Sequence, residues 1–428
     1  MSQLQQPGDI SVTTALLFNF TKSASQDISE QISSIDIYES IFSPVIFAEI
    51  MMIDSINLHE KFPIRGEEWI VLQCSSPGMS KEFSLNLTFR IIRKTNLSVE
   101  DQGRISTYKL VAVSEEFQTN AKASVRKTFS DMPINNMVEN LLTNNQFLNT
   151  KKKVRTDGGE TKGKQTIMIP NLNPLQTIDF LRQRAVSKNY TTSAFVFFEN
   201  KKGFNFTNLE YLFEIGKKTQ SSNPVFFFKS TGNIDVDKAG IEQARNIISY
   251  RHIMSGDPVT SANRGGFHNK VINYDLRTAT FTEVSSKKTN ISQKAQYGDT
   301  RSIHTSSSLN KELEENTPAS TTLFVTNSMK PPTFREDAIG SSKIYVEQLV
   351  QNIVRVFVAG DTSLTAGKMV VLNLPQFRGT TEDGDQSRKS KYVSGNYIIS
   401  KIRHTLIRGG RWQHGTVMEC VKGEFGSV

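Results

Sequence analysis

Residues 83–94 read FSLNLTFRIIRK, and in them Phe83, Leu85, Leu87, Phe89 and Ile91 alternate with Asn86, Thr88 and Arg90. A period of two sends successive side chains to opposite faces of an extended chain, so the stretch reads as an antiparallel strand with one covered face. Shorter runs of the same kind, bounded by turn residues, lie at 34–39, 45–54, 67–74 and 105–114. The region from Ile35 to Val113 is therefore expected to be a β domain.

The period then changes. In SDMPINNMVENLLTNN (130–145), Ile134, Met137, Val138, Leu141 and Leu142 recur at helical spacing, behind Asp131 as expected N-cap and Pro133 in the first turn. A second helix is expected from Asn173-Pro174, with Leu175, Ile178, Leu181 and Ala185 on one stripe. Ala194–Glu199 and Asn205–Thr207 flank a Lys202-Gly203 turn and read as a hairpin. Residues 115–225 thus form a mixed α/β unit.

Strands return at 244–253, 271–275 and 280–284. Between Ser285 and Ser342, 19 of 58 residues are Ser or Thr, which marks a long polar excursion rather than core, with pieces such as Thr322–Thr326 docked on neighbours. A short helix around 342–349 precedes strands at 352–359, 367–374, 397–407 and 416–421.

Two parts of the chain echo one another. FPIRGEEWIVLQC (62–74), FSLNLTFRIIRK and STYKLVAVS (106–114) lay over SLTAGKMVVLNLP (363–375), SGNYIISKIRHTLI (394–407) and GTVMECVKG (415–423). In both, a turn glycine, Gly66 or Gly367, precedes an alternating strand and two longer strands follow. That pattern points to a duplicated β unit.

Composition narrows the function. A length of 428 residues allows two to four domains at about 150 residues each. With 37% hydrophobic and 22% charged residues the chain is neither a disordered tail nor a helical membrane protein. The opening MSQLQQPGDIS lacks the features of a signal peptide, and no span is expected. The net charge of +9 permits an anionic partner without demanding one. Cys74 and Cys420 are too far apart in sequence for a paired-cysteine zinc site and read as small core residues.

Motifs for chemistry fail one by one. GGETKGKQ (158–165) has the glycine and lysine spacing of a phosphate loop, but Gln165 replaces the magnesium hydroxyl, KKKVRTD (151–157) is no buried strand, and Pro170 stops the helix. It reads as a solvated basic hairpin tip carrying Lys151, Lys152, Lys153, Arg155, Lys162 and Lys164. The histidines show no HxxxH or HxH spacing, and His404 reads as a half-buried strand residue beside Ile402 and Leu406. No GxSxG elbow is present. Glu67-Glu68, Glu115-Glu116 and Glu314-Glu315 are adjacent pairs, which point apart or into solvent rather than across a cleft. FVFF (195–198) and VFFF (225–228) lack interleaved cations and read as buried strands rather than base platforms. No catalytic residue, metal ligand or cofactor is expected.

IDIYESIFSPVIFAEIMMIDSINLHEKFPIRGEEWIVLQC (35–74), YKLVAVSEEF (108–117), IMIPNLNPLQTIDFLRQRA (167–185) and FVFFENKKGFNF (195–206) together resemble the central baseplate hub of contractile-tailed bacteriophages. GDTSLTAGKMVVLNLP (360–375) and SGNYIISKIRHTLI are similar to that family's last barrel strands. The resemblance spans the chain apart from 285–342. It implies a mainly β fold: a first tail-tube-like barrel over 1–114, a mixed α/β domain over 115–225, a second barrel from 226–284 and 343–428, and an insertion over 285–342. It also implies a homotrimer whose six barrels form a ring, adapting a six-fold tail tube above to a three-fold spike below. Contacts with baseplate wedge and tape-measure proteins belong to the same expectation, as does a location in the virion's tail baseplate after assembly in the host cytoplasm.

Viral DNA would traverse the channel without specific binding, so the excess positive charge is expected on outer or subunit-facing surfaces, the loop 151–164 included. A tailocin hub would share every local feature. A baseplate cell-wall hydrolase and a free nucleic-acid-binding protein are the readings from other classes, separable by zymography and by a salt-dependent DNA shift.

Overall fold

The computed structural model describes residues 8–76, 84–100, 104–228, 245–288, 290–291, 307–315, 320–326, 335–375, 390 and 393–423. The first seven strands are β1 (Ser11–Phe18), β2 (Ser25–Asp27), β3 (Ile32–Ser40), β4 (Phe47–Asp54), β5 (Trp69–Ser75), β6 (Leu85–Glu100) and β7 (Ile105–Ser114). They pair antiparallel in the order β3-β4-β7-β6-β5-β1-β2. Leu85, Leu87, Phe89 and Ile91 enter a core with Ile35, Ile50 and Leu110, as alternation requires. Phe83 lies outside the described residues.

Arg90 departs from the expected polar face. It is buried, with its guanidinium 3.9 Å from the Trp69 ring and its Nε donating to Gln118 at 2.6 Å. A planar cation can leave water when an aromatic face and an acceptor receive it.

The mixed unit contains β8 (Thr128–Met132), β9 (Val154–Arg155), β10 (Gln165–Met168), β11 (Phe195–Asn200) and β12 (Gly203–Asn208). Helices Ile134–Thr143 and Pro174–Arg182 bury the expected stripes, except that the second ends at Arg182 and leaves Ala185, buried, beyond it. Asp131 is not the cap of the first: it sits at φ 50° in the last turn of β8, and Pro133 takes the N-cap position. Asn173 and Gln176 form a capping box on the second. The β11–β12 hairpin pairs Asn200 with Gly203, so its turn residues are Lys201-Lys202 rather than Lys202-Gly203. All six residues of β11 are buried because the strand is a wall between two cores. Phe195 and Phe197 face the helices, while Val196 and Phe198 face the second β unit.

That second unit comprises β13 (Val225–Phe227), β14 (Ile247–Ser255), β18 (Asn352–Ala359), β19 (Met369–Asn373), β20 (Gly395–Gly409) and β21 (Arg411–Val421). The expected start of β14 at Ala244 lies outside the described residues. A separate three-stranded sheet is made by β15 (His268–Asp275), β16 (Thr280–Lys287) and β17 (Ser320–Thr326), packed under the helix Arg335–Leu349. Strands 271–275 and 280–284, expected in the second barrel, therefore stand in a sheet of their own. Its partner β17 comes from the polar segment, of which 292–306, 316–319 and 327–334 lie outside the described residues.

The echo is visible in the strand pairing, although β6 carries a second register shift between Thr95 and Ser98, and β14 one between His252 and Met254, that β20 and β3 lack. Strands β5, β6 and β7 form an antiparallel run, as do β19, β20 and β21, and Gly66 and Gly367 take φ values of 95° and 83°. Ile91 faces Ala112 and Arg93 faces Val111, with a register shift between them; Ile399 faces Cys420 and Lys401 faces Glu419, with the same shift. Outward, Phe47 and Ala48 pair with Val113 and Ala112 as Ile353 and Val354 pair with Val421 and Cys420. Finally, β3 shifts register on β4 between Ile32 and Ser34, and β14 on β18 between Ile247 and Ser249. Bulges redirect a strand, so matching bulges mean matching curvature.

The halves join edge to edge. Residues 401–407 of β20 pair antiparallel with 34–40 of β3, making one sheet of the two. Ile398, Ile399 and Ile402 of β20 lie in the second core, while Leu406 lies in the first.

Candidate functional site

Polar groups concentrate where the three units meet. Glu39, at the end of β3, is fully buried and accepts from Thr365 Oγ1 at 2.6 Å, the Ala366 amide at 2.9 Å and the Lys201 amide at 3.0 Å. Burial pushes its carboxyl up, and those donors oppose the shift. The Lys201 ammonium is buried without a hydrogen-bond partner; burial brings its pKa to about 8 against the pull of Glu39 and Asp361.

Alongside lie His404 and His414, with Nδ1 of the first 3.0 Å from Nε2 of the second. Both are buried. Burial, then His414 and Lys201, hold His404 well below its usual value, and burial brings His414 to about 4. His404 is thus not half-buried, as alternation suggested. The β20–β21 hairpin pairs Leu406 with His414 and His404 with Thr416, so the two imidazoles are diagonal neighbours on one face. Counting back from the Gly409-Gly410 turn finds that pair; spacing along one element does not.

A second joint binds the mixed unit to the first β unit. Glu199 of β11 accepts from the Ile46 amide at 3.0 Å and Ser114 Oγ at 2.5 Å, and Lys152 Nζ lies 2.6 Å from both Glu199 and Glu116. Burial raises Glu199; the two carboxylates outweigh burial at Lys152 and raise it too, so the ammonium stays charged. The stretch 151–164 is accordingly no solvated tip. Val154 and Arg155 run parallel to β12, and buried Gly158 and Gly159 leave no room for a Cβ against Tyr211 and the Phe206 carbonyl. Lys151, Lys153, Lys162 and Lys164 are exposed as expected, the last paired to Asp131 at 3.0 Å, while Lys152 and Arg155 are half-buried.

Nor do the adjacent glutamates simply face solvent. Glu68 is buried and accepts from the amides of Arg65, Gly66 and Glu67, while Glu116 also accepts from Thr150 at 2.6 Å. These carboxylates hold main chain and ammonium groups rather than facing one another across a cleft. Among the described residues, no group of three or more His, Cys, Asp or Glu is placed to hold a metal ion, and no helix is long and apolar enough to cross a membrane. Cys74 and Cys420 are buried and unpaired, and burial pushes the Cys74 thiol up to about 12.

Open surfaces among the described residues include two strand edges and a cleft. Among the described residues, β14 has a strand only on its β18 side, and β6 has none opposite β7 beyond Arg90. Ile248 and Ile253 of β14 and Leu97 and Val99 of β6 are exposed. The cleft, about 470 Å³, opens between the mixed unit and the second β unit, with Phe198, Leu212 and Met369 on its floor and Arg155, Lys202 and Lys368 among its walls.

This fold, a duplicated antiparallel sheet with an inserted α/β unit, is shared with solved tail proteins. The tail protein from Neisseria meningitidis MC58 has this fold at a TM-score of 0.54 and 11% identity, over 96% of this chain and 96% of that one. The 43 kDa tail protein of prophage MuSo2 from Shewanella oneidensis superposes at a TM-score of 0.55 and 11% identity, over 97% of this chain and 99% of that one. At this identity the likeness is one of fold. No protein-family model and no curated protein sequence matches the chain.

Proposed function

We propose that the chain is a non-enzymatic structural protein of a phage tail, a homotrimeric baseplate hub that joins the six-fold tail tube to the three-fold spike and lines part of the DNA channel. The observation that carries this reading is the joint between β20 and β3. In register, Leu406 faces His414 as Val99 faces Ser106, and Ile35 faces Ile50 as Tyr250 faces Val356. Leu406 pairs with Ile35 across the joint and is fully buried, whereas its counterpart Val99 is 59% exposed. The free edge of β6 and the free edge of β14 are thus the two sides of the same joint, left unmade within one chain. Pairing β6 of one copy with β14 of the next repeats the joint between chains, and a head-to-tail contact of this kind forms a ring when the rotation between copies closes, as the proposed three-fold hub requires. It also covers two edges that would otherwise invite uncontrolled pairing.

The test is the native mass at micromolar concentration, alone and with the partner spike protein. Three chains of 48.1 kDa give about 144 kDa. A chain that stays at 48.1 kDa with the spike present removes the hub reading.

A further inference from the structure

The cleft between the mixed unit and the second β unit has an unbalanced lining. Its cations come from three places: Arg155 on β9, Lys202 in the β11–β12 turn and Lys368 just before β19. Asp157 is its one carboxylate. Lys368 donates to the Ser363 carbonyl at 3.3 Å, while among the described residues the side chains of Arg155 and Lys202 make no hydrogen bond or ion pair. Burial lowers the pKa of Lys368, and the nearby charges of Lys202 and Arg245 lower it further, while Asp361 opposes them. Three cations of one chain converge here on a single lining carboxylate. This is unlike the other joints, where Lys152 lies between Glu199 and Glu116, and Arg403 between the two carboxylate oxygens of Asp36.

Beneath the charges, buried Phe198, Leu212 and Met369 floor the cleft, half-buried Tyr211 and exposed Ile215 present its apolar surface, and Asn205 and Asn223, each already donating one N–H to the Gly203 and Gly216 carbonyls, keep a second N–H at the wall. About 470 Å³ is the size of a ligand site rather than of a packing defect. Apolar floor, amide wall and cationic rim match the three parts of a peptide: a buried side chain, a backbone that needs hydrogen bonds, and a carboxylate.

We propose that this cleft is a docking site for an acidic peptide segment of a partner protein, whose carboxylates meet Arg155, Lys202 and Lys368 while an adjacent aromatic or aliphatic side chain rests on Tyr211 and Ile215. The inference stands apart from ring formation, since the cleft lies wholly within one chain. Because these two cations hold nothing else among the described residues, removing them is expected to leave the fold intact, so that their effect on binding is readable.

The experiment titrates the full chain calorimetrically with a pool of N-acetylated, C-amidated tetrapeptides composed of Asp or Glu with Phe or Leu. A matched pool carries Asn and Gln in place of the acids. The wild type should bind the acidic pool, and an Arg155→Ala/Lys202→Ala variant with an unchanged melting temperature should bind it about tenfold more weakly, as should the neutral pool with the wild type. In the presence of the acidic pool, Lys202 and Lys368 should resist acetylation while Lys164, outside the cleft, does not. Equal binding of both pools, or no binding of the acidic pool, overturns the proposal, as does binding that the double variant leaves unchanged. Tighter binding of a single-stranded oligonucleotide, lost in the same variant, would replace a peptide by nucleic acid and overturns it too.

Discussion

At the scale of single residues, the joints are made of polar groups taken out of water, and they behave accordingly. His404 and His414 are held neutral, so the unfolded chain, with ordinary imidazoles near pKa 6.5, binds protons that the folded chain refuses. Stability is therefore full above about pH 6.5 and declines as pH falls through the interval down to about 4, where His414 itself protonates. Buried Glu39 and Glu199, raised by burial, act in the opposite sense on acidification. The histidine share is isolated by comparing wild type with His414→Gln: the wild-type melting temperature should fall more steeply between pH 6.5 and 4.5, and parallel curves would remove the buried pair as the cause. Lys152→Met tests the other joint. It strands Glu116 and Glu199 without their ammonium and should cost about 3–5 kcal/mol in denaturant unfolding at neutral pH.

These polar contacts were the least legible part of the sequence. Lys201 and Glu39 are joined by backbone geometry across three units, and no local spacing announces that. Burial of a charged side chain follows from what packs over it, which alternation alone does not reveal.

At the scale of elements, strands with one covered face were readable because one side of each is core. The rest failed for identifiable reasons. Strand β1 escaped notice because Leu16 and Phe18 put apolar groups on the face opposite Ala15 and Leu17, blurring the alternation. The helix Leu209–Lys218 carries Gly216 in its last turns, which reads as a breaker; in the structure that glycine lets Met369 pack against the helix axis. FVFF was legible as buried, but not as a wall serving two cores. The separate sheet of β15, β16 and β17 was missed because its third strand arrives through the polar segment.

The duplication supplies predictions for two of these elements. Antiparallel neighbours place Cα atoms about 4.5–5.5 Å apart, within disulfide reach. A Val99→Cys/Tyr250→Cys variant should therefore oxidise into covalently linked copies, with the three-chain species dominant on a non-reducing gel. Either single variant should stay monomeric on that gel, and a double variant that forms no link would displace the register. Val99→Asp buries a charge in the same contact and should convert the native species to single chains without lowering their own melting temperature, since Val99 is exposed in the isolated chain.

At the scale of the whole molecule, a channel for DNA must not hold it. An excess of nine positive charges on a chain lining such a channel would bind phosphates if it faced the bore. Part of that charge is internal to the joints, as Lys152 and Lys201 show. The assembled protein is expected to leave random duplex DNA unshifted on a native gel at about 100 μM protein and physiological salt, the upper end of the usual range of non-specific dissociation constants. A shift that weakens with salt would place cations in the bore.

The seam between β20 and β3 bears on counting. Two matching halves carried on one polypeptide enter any closed assembly together, so the number of halves in it is even whatever the curvature of the contacts. Rings assembled from loose single units can close with one too few or one too many; here the peptide bond forbids every odd total. The covalent link thus acts as an arithmetic constraint on assembly, and it leaves each half free to diverge, one carrying β1 and β2, the other the three-stranded sheet, without losing its place in the circle.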